Sequence, residues 1–217
     1  MSSFQIVAPE FLPPVSYFLP FLKSRIILIA DHIQYTKRSN LTGSGSLKNC
    51  LRLKIPVKNT GFKKEIAEKE IAYGENWERK HLTSMYHLYH MLTYFDDYFY
   101  KLRDIYNKHH IYLNSFLFDQ ISFFVSSLKI NCDLKLTSQQ GFGGLLEESL
   151  IRFSKENSSK VFIYDIQDVK SGYVNIDKIH DDKVKTQARS NYNDSHLKHI
   201  NILEFLFKYT FILVSRR

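Results

Sequence analysis

The sequence predicts an α/β protein with a mostly parallel, Rossmann-like sheet that carries a helical insertion. Three observations support this class. Apolar runs at Phe4 to Ala8 and Arg25 to Ala30 flank a proline-marked turn and a short amphipathic stretch, the pattern of a βαβ unit. From Asn76 to Leu128 the apolar residues recur at helical spacing. After Cys132, strand-like and helix-like segments alternate again.

In order along the chain, Phe4 to Ala8 reads as the first strand. Pro13-Pro14 pre-set the turn into a helix from about Val15 to Lys23, because proline suits a first helical turn, and Pro20 should kink or end it. Arg25 to Ala30 is a strand apolar throughout, as expected where both faces of a sheet are covered. A polar stretch with Gly43-Ser44-Gly45 leads to Leu51 to Val57, where Leu51, Leu53 and Ile55 alternate with Arg52, Lys54 and Pro56. That alternation marks a half-buried strand near an edge. Lys58 to Gly74 is charged and reads as a solvated connection or a short strand around Ile66 to Ile71.

Trp77, His81, Met85, Leu88 and Leu92 then trace one face of a helix, with Asn76 in N-cap position and Glu78 in the first turn. Aromatic-rich helices follow at about Tyr94 to Asn107 and Tyr112 to Leu128. Further on are a strand at Cys132 to Thr137, a helix at Gly144 to Glu156 and a strand at Lys160 to Tyr164. Asp165 to Asp194 is weakly patterned, and an apolar helix runs from about Ile200 to Val214. Residues 1–217 are expected to form one α/β domain, with the insertion at about Trp77 to Leu128.

Composition narrows the function classes. With 44% hydrophobic and 15% aromatic residues, the chain can bury a full core. No secretory signal pattern opens it and no apolar run approaches the length of a spanning helix, so a cytoplasmic protein without membrane insertion is expected. Cys50 and Cys132 stand far apart without flanking thiols and read as reduced residues. Thirty Lys and Arg against twenty-two Asp and Glu give a formal charge of +8, which favours anionic partners or a generic basic surface.

Most chemical motifs are absent. His81, His87 and His90 share a helix without the four-residue spacing of a zinc helix, and no metal or cofactor is expected. There is no Gly-x-Ser-x-Gly, and neither cysteine sits in a nucleophile motif. Gly141-Phe142-Gly143-Gly144, between a strand and a helix, reads as an ordinary turn more readily than as a phosphate loop.

Two groupings stand out. Trp77 and His81 are four apart on one helical face with Lys80 alongside. This reads either as a buried histidine packed on indole or as a base or anion ligand. At the end of the second strand, alternation sends Asp31 one way and His32 and Gln34 the other, so the latter two point together into a crevice or simply bond within a turn.

Six segments recur in one order: Pro9-Glu10-Phe11-Leu12-Pro13-Pro14-Val15-Ser16-Tyr17-Phe18; Asp31-His32-Ile33-Gln34-Tyr35-Thr36-Lys37-Arg38-Ser39; Leu53-Lys54-Ile55-Pro56-Val57-Lys58; Trp77-Glu78-Arg79-Lys80-His81-Leu82; Tyr94-Phe95-Asp96-Asp97-Tyr98; and His199-Ile200-Asn201-Ile202-Leu203-Glu204-Phe205-Leu206-Phe207. The ordered set resembles the WbqC-like family of bacterial proteins, found among genes for O-antigen and other surface polysaccharides. The Pro-Pro-Val-Ser-Tyr-Phe form is similar to its Bacteroidetes-type branch. Where the family usually has an aromatic residue and an Arg-Asn-Arg-like cluster, this chain reads Ser39-Asn40-Leu41-Thr42-Gly43. The family's Ser-Ile-x-Asp pattern appears as Asn201-Ile202-Leu203-Glu204, and a following glycine is replaced by Thr210.

The resemblance implies a cytosolic tailoring step in surface-polysaccharide biosynthesis, with transfer of an aminoacyl or acyl group to a nucleotide-linked amino sugar. In that scheme Lys37 and Arg38 hold the anionic leaving group or pyrophosphate. His81 is the base for the attacking amine, with His32 as a second catalytic candidate. His32, Gln34 and Asp31 orient the substrate, Tyr17 and Trp77 offer stacking surfaces, and Lys80 adds charge. The alternatives are a binding or scaffold protein without turnover and a transferase that takes its acyl group from charged tRNA.

Overall fold

Five strands form one sheet in the computed structural model, which describes residues 3–37, 40–44, 47–59, 64–142, 149, 152–153, 155–156, 160–163, 184–186 and 202–208. They are β1 (Ser3–Val7), β2 (Ile26–Ile29), β3 (Asp133–Leu136), β4 (Lys160–Ile163) and β5 (Val184–Thr186), in spatial order β3-β2-β1-β4-β5. All four neighbouring pairs are parallel, with Phe4 opposite Ile26 and Val161, and Ile26 opposite Asp133. The predicted α/β class with a parallel, Rossmann-like sheet is the one observed.

The apolar strands follow from burial on both faces. Ile27 and Ile29 of β2 join one large core with α1 (Trp77–Tyr89), α2 (Phe95–Asn107) and α3 (Leu113–Ser127), the helices inserted between β2 and β3. Leu28 points to the opposite face and is equally buried. Phe4 of β1 meets Phe153 edge-on, with ring centroids 4.9 Å apart. In α2, Phe95, Tyr98, Phe99, Leu102, Ile105 and Tyr106 are buried, each contributing roughly 1.5–3 kcal/mol by burial of apolar surface. A last helix, α4 (Ile202–Lys208), packs Phe207 against Phe95 and Tyr89.

Several local expectations are corrected. The helix foreseen over Val15 to Lys23 is two 3-10 turns, Val15–Phe18 and Pro20–Leu22, because Pro20 has no N–H with which to continue the first. Leu51 to Val57 is not a strand of the sheet. It makes isolated antiparallel bridges, Gly43 with Lys54 and Val57 with Ile71. Asn76 does precede α1, but in the left-handed conformation (φ 49°, ψ 39°) and without a side-chain cap, so asparagine's tolerance of that region is what the position uses. β5 lies within the weakly patterned stretch and was not foreseen. The predicted helix at Gly144 to Glu156 is helical at residues 149, 152–153 and 155–156, and its remainder lies outside the described residues. Residues 200–201 and 209–214 of the expected C-terminal helix also lie outside them. Among the described residues, no helix is long and apolar enough to cross a membrane, and neither cysteine is in a disulfide.

Candidate functional site

The connection from β2 to α1, residues 31–76, leaves the carboxyl end of the sheet and folds on itself through three short antiparallel contacts. In the first, Gln34 bridges Glu65, with Tyr35 N–H donating to the Lys64 carbonyl at 2.9 Å and Ile66 N–H to that of Ile33 at 3.0 Å. The second joins Lys58 N–H to the Glu70 carbonyl (3.0 Å) and Ala72 N–H to that of Pro56 (2.9 Å). In the third, Ser44 N–H donates to the Leu53 carbonyl (2.9 Å) and Ile55 N–H to that of Thr42 (2.7 Å). Together with the first turns of α1 these contacts frame a pocket of about 550 Å³. That is large enough for a nucleotide-sized ligand.

The pocket is cationic. Lys37, Lys54, Lys58, Lys69 and Lys80 line it, and Glu75 is the one carboxylate among its described lining residues. Lys54, Pro56 and Lys58 reach it from one face of an extended segment, by the period-two rule. Trp77, Lys80 and His81 reach it from one face of α1. Four of the lysines are exposed, whereas Lys69 is only 5% exposed, with its Nζ 5.0 Å from the centroid of the Tyr35 ring. Burial first, and then the charges of Lys37 and Lys64, lower the pKa of Lys69. Lys58 is partly answered by Glu70, whose Oε2 lies 2.6 Å from the ammonium. That hydrogen bond and charge lower the pKa of the Glu70 carboxyl.

His81 is buried. Its ring hydrogen-bonds the Lys54 backbone, and the Tyr106 hydroxyl lies 3.4 Å from Nδ1. Burial lowers its pKa to about 4, against a smaller raising effect from the Lys54 hydrogen bond, so the imidazole is neutral at pH 7. Such a ring is a weak acceptor for an ammonium proton. Trp77 is also buried, its ring packed by Tyr73, His81, Tyr106 and Phe116 with centroids 5.1–6.0 Å away. It forms wall rather than a stacking platform. The half-buried Tyr35 is the more open aromatic.

The other predicted residues lie elsewhere. Asp31 is fully buried at the end of β2 and accepts four hydrogen bonds: from Ser138 N–H (2.8 Å), Ser138 Oγ (2.6 Å), Thr137 Oγ1 (3.0 Å) and Asn114 Nδ2 (3.0 Å). It therefore ties β2, the residues after β3 and the start of α3 together. His32 places Nδ1 2.6 Å from Thr137 Oγ1, with its ring against Phe142, and burial lowers its pKa despite Asp31 beside it. Gln34 sits in the bridge to Glu65. Tyr17 is buried among Phe18 and Phe21, with its hydroxyl donating to the Ala8 carbonyl at 2.8 Å, so its ring belongs to the core. Arg38 lies outside the described residues.

The pocket thus unites Lys37, Trp77, Lys80 and His81 and adds Lys54, Lys58, Lys69 and Tyr35, to which sequence reasoning had given no role. The signal for two of these was present: Lys54, Pro56 and Lys58 share a face of an alternating segment whose other face is apolar. Nothing local to Lys69 marks it. Among the described residues, no three His, Cys, Asp or Glu side chains are grouped to hold a metal ion.

No curated protein and no solved structure matches the chain. A family model does, over residues 8–167, a span that takes in β2 to β4, the three inserted helices and every described residue lining the pocket. On that match, the chain belongs to the WbqC-like protein family.

Proposed function

We propose that the lysine pocket binds the diphosphate of a nucleotide-linked amino sugar and that the protein transfers an acyl or aminoacyl group to that sugar, a cytoplasmic tailoring step in surface-polysaccharide biosynthesis. The observation that carries this reading is the excess of positive charge around one cavity, five lysines against one carboxylate among its described lining residues. Like charges brought together raise the energy of the empty site, and an anion of two or more charges removes that cost. Lysines act as point charges rather than forks, which suits a ligand whose phosphate oxygens offer many acceptors. The partly exposed Tyr35 ring provides a surface for a base or sugar. His81, neutral and bonded to the Lys54 backbone, orients the segment that presents Lys54 and Lys58.

A second reading, ligand binding without turnover, draws support from the same neutral state of His81, which leaves that ring a poor base. The two separate in one screen. The purified protein is heated with nucleotide-linked amino sugars, with and without activated acyl donors and charged tRNA, and the sugars are then weighed by mass spectrometry. Transfer gives a raised melting temperature and a sugar heavier by the acyl group. Binding alone gives the first without the second, and no stabilisation by any nucleotide-linked sugar contradicts both.

A further inference from the structure

Thr137 joins two side chains at the carboxyl ends of neighbouring parallel strands. It follows β3 directly, while Asp31 and His32 follow β2, with which β3 pairs. Open parallel sheets bind their ligands at that end. The hydrogens of this knot can be counted. The Thr137 hydroxyl accepts from Asp31 N–H at 3.1 Å and has one hydrogen to give. Asp31 Oδ1 at 3.0 Å and the Ile29 carbonyl at 3.2 Å are both acceptors for it. Were it given to the imidazole instead, a hydroxyl oxygen would face a carboxylate oxygen and a carbonyl oxygen with no proton between them, which is repulsive. The 2.6 Å contact between His32 Nδ1 and Thr137 Oγ1 is therefore donated by the ring. Nδ1 carries the hydrogen, and Nε2 carries the lone pair.

That lone pair is unclaimed. Nε2 is not buried and has no hydrogen-bond partner among the described residues. Packing against Phe142, with ring centroids 5.7 Å apart, gives the ring a place but asks nothing of Nε2. His81 differs, because the Lys54 backbone and the Tyr106 hydroxyl both engage its ring.

We propose that His32 Nε2 is the proton acceptor of the transfer step, held in its working tautomer by Thr137 and Asp31; the inference rests on the transfer reading above. Tyr35 of the lysine pocket lies three residues further along the chain, a span of no more than about 11 Å, so a ligand with its diphosphate on the lysines extends its sugar to this ring. The sugar's neutral amine attacks the carbonyl carbon of an activated acyl ester. A C–N bond forms, the ester C–O bond breaks, and the alkoxide leaves with the electron pair. The proton shed by the nitrogen passes to Nε2 and from there to the alkoxide, which departs as the alcohol. While Nε2 holds that proton, the Asp31 carboxylate stabilises the imidazolium through the Thr137 hydroxyl. Burial lowers the pKa of His32 more than Asp31 raises it, so the ring is unprotonated at pH 7 and ready to accept.

Two experiments on the full chain decide the matter. In the first, the histidine rings are labelled with nitrogen-15, and two-bond proton–nitrogen correlation spectra read the tautomer of His32, assigned by the signals that vanish in His32→Gln. The expected result is a hydrogen on Nδ1 and none on Nε2 at neutral pH, blurred into a mixture of tautomers by Thr137→Val and restored by Thr137→Ser. A hydrogen on Nε2 in the wild type overturns the proposal. In the second, His32→Gln should lower kcat about 100-fold or more, with pyrophosphate affinity within about threefold of wild type. His32→Asn serves the same purpose if glutamine does not fit. Thr137→Val, which removes a positioning residue, should lower kcat about tenfold at unchanged KM, and Thr137→Ser should recover it. Turnover retained in a folded His32 variant overturns the role of His32 alone, whereas a wild-type chain that acylates no sugar overturns the transfer reading and this role with it.

Discussion

Asp31 and Lys37 are six residues apart on one connection, yet they stand in opposite electrostatic situations. Asp31 is enclosed, and four donors converge on its carboxylate from two segments, the residues after β3 and the start of α3. Lys37 is exposed on a cavity whose other charges are mostly of its own sign. A buried polar group whose partners are all present is complete as it stands, and its work is to hold strands and helix in register. A cluster of like charges carries a repulsive cost that an anionic ligand would relieve, which is the basis of the proposed diphosphate site. The two regions are joined through the backbone, where Ala67 N–H donates to the Asp31 carbonyl and Tyr35 N–H to that of Lys64, so the saturated knot positions the lysine pocket.

Breaking the knot should give the largest effect. Asp31→Ala leaves Ser138, Thr137 and Asn114 without their acceptor, and the expected loss of unfolding free energy is about 3–4 kcal/mol. Urea unfolding measures it, and the molecules that remain folded should keep their pyrophosphate affinity within about twofold.

Acid should come next, acting on the pocket's buried wall. The folded chain holds His81 at about 4, below the ordinary 6.5, so the unfolded chain takes up this proton first. The contribution of His81 is complete above pH 6.5 and is lost as the pH falls towards 4. About 2 kcal/mol should disappear between pH 6.5 and 5. His32 and His110 are lowered by burial too and add loss of the same sign. Unfolding curves across this range should therefore flatten in part, not wholly, in His81→Gln.

The smallest effect sharpens the electrostatic side of the comparison. Glu70→Gln releases Lys58 from its exposed pair, and pyrophosphate affinity should rise by only about twofold, as befits a screened surface interaction. A gain of that size that shrinks as salt is added, measured by calorimetric titration, assigns it to charge.

The legible parts of the fold were those written in local periodicity. β1, β2 and the three inserted helices lie within a few residues of where the apolar pattern put them, because strand burial on both faces and a single helical stripe leave direct marks. The ribbons that build the pocket left none. Gln34 with Glu65, Gly43 with Lys54 and Val57 with Ile71 are pairings between residues 11 to 31 apart, each a single bridge too short to impose alternation over its length. For the same reason Leu51 to Val57 carried a strand-like pattern that came from facing a core on one side and a cavity on the other. Of the residues singled out by the resemblance and by helix spacing, Lys37, Lys80, Trp77 and His81 line the pocket. Lys69 was not singled out, since its distinction is its burial, which depends on how the 3-10 turn at Ile66–Glu68 docks against the start of α3. Tyr17 was misplaced because an aromatic beside two prolines looks the same in sequence whether its ring faces a ligand or Phe21.

The central claim, that the cluster of lysines is a receptor for a diphosphate, is tested most directly by calorimetric titration of inorganic pyrophosphate into the wild-type chain and into the double variant Lys37→Gln, Lys80→Gln. Both substituted side chains are exposed, so folding should be unaffected and binding can be read alone. The expected result is saturable binding of one pyrophosphate per chain, weakened about tenfold or more in the double variant at an unchanged melting temperature, roughly 0.7 kcal/mol for each charge removed. Absence of saturable binding to the wild type, or equal affinity in the two proteins, would contradict it.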